Sequence, residues 1–155
     1  CIFAVRRTWL VPCAAIASTL LIPSWGGMVN YPALHTESLR DLSTWARTQT
    51  PRESVFFFPD VGRGLQPGVF RADSLRGVYV DWKGGGQANL LRKFGEEWWR
   101  RWQAVRAAKP PLLPADRYRE LGIDFLVVNP RNRTPEAAVV YENKDWVVIA
   151  LKRKA

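Results

Sequence analysis

Charged and aromatic side chains gather around one short apolar run in the middle of the sequence, Gly77 to Trp82, which predicts a strand. Arginine binds phosphate through two parallel hydrogen bonds, lysine supplies a point charge, and an indole ring offers a flat apolar face to a sugar ring or an acyl chain. If these groups converge, the pattern predicts a surface that binds a phosphate or a sugar. Its candidate residues are Arg71, Arg76, Asp81, Trp82, Lys83, Glu97 and Arg101.

The same residues also allow a purely structural interpretation. Asp81 can pair with a neighbouring arginine or lysine, and Glu97 with Arg101, so that ion pairs fix the strand against the following helix. Trp98 and Trp102 lie at helical spacing, which predicts that they pack in the core. Both interpretations stay open at this point.

Established catalytic patterns are missing from the sequence. There is no Gly-x-Ser-x-Gly elbow and no phosphate-binding Walker sequence. The single histidine, His35, has no partner for a metal site or a Ser-His triad, and both cysteines, Cys1 and Cys13, lie in or beside the N-terminal apolar segment. We therefore predict no metal and no cofactor, and we assign no residue a catalytic role.

The N-terminal part of the chain carries a long uncharged run. Thr8 to Leu34 contains no charged residue, follows Arg6 and Arg7, and has Trp9 and Trp25 near the ends of its most apolar part. A membrane-crossing helix needs about 20 apolar residues, prefers tryptophan at its ends and carries arginine on the cytoplasmic side. The run predicts a transmembrane helix, with a signal peptide and a buried core helix as alternatives.

This run divides the chain into two predicted parts. Residues 1–34 are interpreted as the last transmembrane helix, and its flank, of a truncated membrane region, and residues 35–155 as an outward-facing α/β domain. The fold class is thus α/β, with one N-terminal transmembrane helix followed by a small mixed-sheet, sandwich-like α/β domain that ends in a β-hairpin. The predicted location is an integral membrane protein whose soluble domain is extracytoplasmic, either periplasmic or extracellular.

Alternating and helical patterns place the elements of the second part. The hairpin is predicted at 137–151, around the turn Glu142 to Asp145. Helices are predicted over 34–50, 91–105 and 116–121, and strands over 54–59, 77–82 and 123–128.

Net charge restricts the class of partner. Removing Arg6 and Arg7 from the 23 basic residues leaves 21 in the second part, against 14 acidic ones. Such an excess favours anionic partners, namely the headgroups of a lipid bilayer, lipid-linked phosphates or nucleic acid. The predicted outward location makes nucleic acid the least favoured of the three.

Four motifs resemble an uncharacterised bacterial family over roughly residues 35–130. In chain order they are Phe70-Arg71, Arg76, Val80-Asp81-Trp82-Lys83 and Glu97-Trp98-Trp99-Arg100-Arg101. The family is a domain of unknown function in multispanning membrane proteins. The chain departs from it at Gly84 to Gly86, where the family usually has a proline-bearing segment.

A looser resemblance rests on a tryptophan-containing helix, Thr50-Pro51 and a strand, followed by Leu121-Gly-Ile-Asp-Phe-Leu-Val-Val128 and Val139-Val-Tyr-Glu-Asn143. This succession is similar to the outward-facing C-terminal domains of polytopic glycosyltransferases that use lipid-linked sugar donors. In those enzymes the catalytic acidic residues belong to an early extracytoplasmic loop, which this chain does not contain. Whether the chain is part of an enzyme stays open.

The resemblance implies an extracytoplasmic domain that assists glycosyl transfer or binds a lipid-linked substrate in the cell envelope. The alternative is a non-catalytic binding or scaffolding module that contacts anionic lipid headgroups or a partner protein.

Overall fold

The structure is a computed structural model that describes residues 9–21, 33–106, 113–133 and 138–151. The chain forms two compact units, residues 1–32 and residues 33–155.

The first unit contains one described helix, α1, at Leu10–Leu21. Its 12 residues make a helix about 18 Å long, whereas the hydrocarbon core of a bilayer is about 30 Å thick. In the described part of the chain no helix is both long and apolar enough to cross a membrane.

The predicted transmembrane helix is therefore wrong. The uncharged run from Thr8 to Leu34 is long enough for a membrane-crossing helix of about 20 residues, whereas the described helix has 12 residues. Two features used in the prediction, the pair Arg6 and Arg7 and the residue Trp25, lie outside the described residues.

The second unit is a mixed α/β structure. Its helices are α2 Glu37–Gln49, α3 Gln66–Ser74, α4 Arg92–Arg106 and α5 Ala115–Glu120, with short 3-10 helices at Lys83–Gln87 and Pro130–Asn132. Its strands are β1 Val55–Phe57, β2 Gly77–Val78, β3 Phe125–Val128, β4 Val139–Glu142 and β5 Val147–Ala150.

The five strands form one sheet in the order β2-β1-β3-β5-β4. Strand β1 is parallel to β2 and β3, whereas β5 is antiparallel to β3 and β4. The mixed sheet and its closing hairpin agree with the sequence prediction. Because β1, β2 and β3 are parallel, their carboxyl ends lie at the same edge of the sheet.

Helices cover both faces of the sheet. Successive strand residues face opposite sides, so Leu126 and Val128 join one core cluster and Val127 joins the other. The first cluster is completed by residues of α4 and α5, including Val105 and Tyr118. The second is completed by α2 and α3 and includes Leu39, Leu42, Ala46 and Phe70.

Helix α2 shows how local sequence sets these layers. Thr36 caps the helix by accepting a hydrogen bond from the backbone N–H of Leu39 at 3.3 Å. The helix ends just before Pro51, and its buried residues Leu39, Leu42, Ser43 and Ala46 recur at helical spacing. This stripe holds α2 against the sheet.

Candidate functional site

Asp81 is the centre of the predicted site. It follows β2, and its side chain is only 3% exposed. One carboxylate oxygen accepts a hydrogen bond from Arg71 Nη1 at 2.9 Å, and the other accepts one from the backbone N–H of Gly84 at 2.7 Å. The carboxylate is therefore both compensated in charge and fixed in position.

Arg71 lies between this buried carboxylate and solvent. It occupies the last turn of α3, and its side chain is 51% exposed. A guanidinium group has five N–H donors, and among the described residues Arg71 uses one of its nitrogens, Nη1, in a side-chain hydrogen bond. Asp81 thus orients Arg71 without using up its donors.

Three indole rings pack next to Asp81. Trp98 donates a hydrogen bond from Nε1 to the backbone carbonyl of Asp81 at 2.8 Å and stacks on Trp102 with ring centroids 5.7 Å apart. The ring centroid of Trp82 lies 5.4 Å from that of Trp102 and 6.0 Å from that of Trp98. Trp98 and Trp102 pack against the core, as their helical spacing predicts.

The glycine triplet allows this packing. A Cβ atom added at Gly85 would lie 2.4 Å from Cζ2 of Trp98, a distance that no side chain tolerates without a shift. A Cβ atom added at Gly86 would have none of the neighbouring atoms within 4 Å. Gly85 therefore lets the 3-10 helix pass directly against the indole ring, a role that sequence analysis missed because the partner lies on a later helix.

Arg63 and Lys83 add positive charge beside Trp82. The guanidinium carbon of Arg63, in the loop after β1, lies 4.3 Å from the centroid of the Trp82 ring. Lys83 is exposed, begins the first 3-10 helix and forms no ion pair with any described residue. We call Arg63, Arg71, Trp82 and Lys83 the basic surface. Arg63 was not among the predicted residues, since only the fold brings its loop to Trp82.

Glu97 and Arg101 form a neighbouring ion-pair group on α4. Glu97 accepts hydrogen bonds from Arg101 Nε at 2.6 Å and from Arg100 at 2.7 Å. The hydrogen bond from Arg100, and then the one from Arg101, lower the pKa of Glu97 to about 2. Arg101 also donates to the backbone carbonyl of Tyr79 at 3.4 Å, which joins α4 to the segment after β2.

Arg76 lies away from the basic surface. It precedes β2, at the opposite end of the strand from Asp81, and it is 8% exposed. Its Nη2 donates to the backbone carbonyls of Arg47 at 2.5 Å and Thr50 at 2.8 Å, and its Nε donates to Thr50 Oγ1 at 3.1 Å. Arg76 thus satisfies carbonyls at the C-terminal end of α2.

The carboxyl ends of β1 and β3 are linked directly. The side chain of Asp60, which follows β1, accepts a hydrogen bond from the backbone N–H of Asn129, which follows β3, at 2.8 Å. In open α/β sheets ligands often bind at this edge. The basic surface lies beside the same edge, because Asp81 follows the neighbouring strand.

A separate open groove of about 550 Å³ runs along α2. Trp45 and Tyr141 stack in it with ring centroids 4.9 Å apart. The lining residues are Asp41, Thr44, Trp45, Thr48, Gln49 and Tyr141. None of them belongs to the predicted site.

The described residues contain no group of three or more histidine, cysteine or acidic side chains placed to hold a metal ion. The structure pairs Arg71 with Asp81, which Trp82 and Lys83 follow directly in the chain. It joins Glu97 and Arg101 to the adjacent segment. The two ion pairs that the sequence allows, Arg71 with Asp81 and Glu97 with Arg101, are both formed.

Comparison with known families gives one finding. Residues 37–105 match the family model described as a domain of unknown function (DUF6798). The match runs from α2 into α4 and contains every predicted site residue. No curated protein and no solved structure matches the chain.

The resemblance to a domain of unknown function is thereby confirmed for this part of the chain. The match says nothing of multispanning membrane proteins or of glycosyltransferases.

Proposed function

We propose that the basic surface binds the phosphate of an anionic lipid-linked substrate, and that this domain serves as an accessory binding module in glycosyl transfer at the cell envelope. The observation that carries the proposal is the half-exposed side chain of Arg71, whose guanidinium pairs with the almost fully buried side chain of Asp81. An oriented guanidinium loses little conformational entropy when it binds an anion.

The charges of the surface support an anionic ligand. Arg63, Arg71 and Lys83 are all exposed, while the nearby carboxylate of Asp81 is buried and already paired. Arginine can donate two hydrogen bonds to a phosphate, and an adjacent lysine adds a flexible positive charge. The half-buried ring of Trp82 supplies apolar surface for a sugar or an acyl chain beside them.

The accessory role in glycosyl transfer rests on the resemblance in the sequence. No described residue is given a step in bond making, because the arrangement offers cations and an indole ring rather than an acid–base pair. The other candidate is a non-catalytic module that contacts anionic lipid headgroups. Both candidate functions rely on recognition of a phosphate. The test therefore separates a phosphate of a lipid-linked substrate from a phosphate of a membrane headgroup.

The test uses the full chain and two probes. The first is farnesyl diphosphate, a soluble mimic of a lipid-linked phosphate, measured by calorimetry. The second is flotation with vesicles of phosphatidylcholine, with and without phosphatidylglycerol. The variant is Arg71→Ala/Lys83→Ala. The matched control, Arg52→Ala/Lys144→Ala, removes two exposed basic residues at other sites and changes the net charge equally.

We expect the Arg71→Ala/Lys83→Ala variant to bind farnesyl diphosphate at least about tenfold more weakly than wild type, because it loses one to two charged hydrogen bonds. The affinity of the control variant should stay within about twofold of wild type. Loss of vesicle binding alone would favour the headgroup module. Equal losses in variant and control would show that only overall charge acts and would overturn the proposal.

The extracytoplasmic location stays a prediction with its own test. A reporter that is active only outside the cytoplasm, fused after Ala155 of the full-length protein, is expected to be active. An expressed but inactive fusion would contradict an outward-facing domain and would direct the search to partners inside the cell.

A further inference from the structure

The apolar stripe of α4 extends beyond the core that it covers. Trp98, Trp102 and Val105 pack against the sheet. Toward the N-terminal end of the helix, Leu91 is 57% exposed and Phe94 is 40% exposed, and the preceding Leu90 is 83% exposed. We call Leu90, Leu91 and Phe94 the apolar corner.

Backbone contacts hold the apolar corner in shape. The N–H groups of Leu90 and Leu91 both donate to the carbonyl of Gln87, at 3.0 and 3.1 Å, and Gly95 donates to the carbonyl of Leu91 at 2.8 Å. Gly95 also packs tightly on Ala88, because an added Cβ would lie 3.0 Å from Ala88 Cβ. The three apolar side chains are therefore exposed on an ordered, hydrogen-bonded turn.

Basic residues outnumber acidic ones in the sequence around the apolar corner. Between residues 90 and 101 there are four basic and two acidic residues. Glu96 pairs with Arg92, and Glu97 pairs with Arg100 and Arg101. Lys93 is exposed and forms no ion pair with any described residue. Large exposed apolar side chains next to unpaired positive charge are typical of surfaces that lie in the interface of an anionic membrane.

We propose that the apolar corner inserts into the headgroup region of an anionic lipid bilayer, with Arg92 and Lys93 at the level of the lipid phosphates. The excess positive charge selects an anionic bilayer over an apolar protein surface. The proposed membrane contact is peripheral and does not cross the bilayer, since only the turn at Leu90 and Leu91 and the start of α4 insert. It does not rest on phosphate binding by the basic surface, because different residues carry it.

A label at position 90 tests insertion directly. In a Cys1→Ser/Cys13→Ser background of the full chain, a Leu90→Cys substitution is labelled with an environment-sensitive nitrobenzoxadiazole dye. Vesicles of phosphatidylglycerol mixed with phosphatidylcholine should shift its emission to shorter wavelength, whereas pure phosphatidylcholine should shift it far less. The matched control is the dye on Leu75→Cys, since Leu75 is likewise an exposed leucine, at 57% against 83% for Leu90, but lies just before Arg76.

Affinity gives a second, label-free result. Leu91→Ser/Phe94→Ser should weaken vesicle binding about tenfold or more, because each buried apolar side chain favours the apolar phase by more than a factor of ten. Leu75→Ser should leave binding within about twofold of wild type.

Three outcomes would overturn insertion. In the first, the chain does not bind the anionic vesicles. In the second it binds them but the dye at position 90 does not shift, so that other exposed apolar residues, such as Leu10 and Val11 of α1, account for binding. In the third the dye is already in an apolar environment without vesicles, so that another part of the chain or a second copy covers the corner.

Discussion

Arg71 lies in the last turn of α3 and Arg76 just before β2, yet the two arginines have opposite surroundings. Arg76 is buried among backbone carbonyls of the end of α2. Arg71 is half exposed and pairs with the buried carboxylate of Asp81. A guanidinium surrounded by the chain's own acceptors stabilises the fold, whereas one that a carboxylate orients toward solvent keeps donors for a ligand.

Replacing the buried Arg76 should have the largest effect on stability. Arg76→Ala should lower the free energy of unfolding by about 2–4 kcal/mol, because it leaves buried carbonyl oxygens without donors. Chemical denaturation measures the change. Arg47→Ala, which removes an exposed side chain from the same helix end, should change stability by less than about 0.5 kcal/mol. Similar losses in both variants would show that Arg76 does not act through these carbonyls.

A smaller loss is expected at the glycine triplet beside Asp81. Gly85→Ala should destabilise the fold by about 1–3 kcal/mol, because the new methyl group overlaps Trp98. Gly86→Ala is the matched variant in the same 3-10 helix, where nothing lies within 4 Å, and it should be neutral or slightly stabilising. Equal thermal midpoints for the two variants would argue against the close packing of Gly85 on Trp98.

A double-mutant cycle tests the pair that distinguishes Arg71. The coupling free energy between Arg71→Ala and Asp81→Asn should be about 1 kcal/mol, since one partner is buried and the other half exposed. It is measured from the urea unfolding of the wild type, the single variants and the double variant. Additive single effects would mean that Asp81 does not hold Arg71.

The smallest expected effect is a pH dependence at Glu97. Because its pKa falls from 4.5 to about 2 on folding, the unfolded chain binds the proton more tightly, and stability is lost as pH falls from about 4.5 toward 2. Glu97→Gln should reduce this slope, as measured by urea midpoints across that range. Identical slopes in wild type and variant would contradict the lowered pKa. Solvent around this exposed group keeps the effect small.

Sequence periodicity was sufficient to predict much of the fold. Alternating residues predicted β4 and β5, and helical spacing predicted that Leu39, Leu42 and Trp102 pack in the core, because core burial imposes those periods. The transmembrane prediction failed because an uncharged composition does not fix the length of a helix. Only 12 residues of the apolar run form the described helix.

The site was harder to predict than the elements. The sequence analysis placed Arg76 in the same site as Arg71 because both are close to one predicted strand. In the fold, Asp81, the partner of Arg71, lies after β2, whereas Arg76 lies before it. Only the fold shows that α2 ends beside Arg76. Arg63 was missed for the converse reason, since its contact with Trp82 joins two loops that are distant in sequence. Contacts of this kind depend on how strands are ordered in the sheet, which a single sequence does not encode in any local pattern.

The contrast between the two arginines is most directly tested by nuclear magnetic resonance of their Nε–H groups during a titration with farnesyl diphosphate. We predict that the chemical shift of the Arg71 Nε–H signal changes until it saturates, while the signals of the buried Arg76 and the exposed Arg52 stay unchanged. An unchanged Arg71 signal, or one that moves no more than that of Arg52, would contradict the assignment of Arg71 as the anion-binding residue.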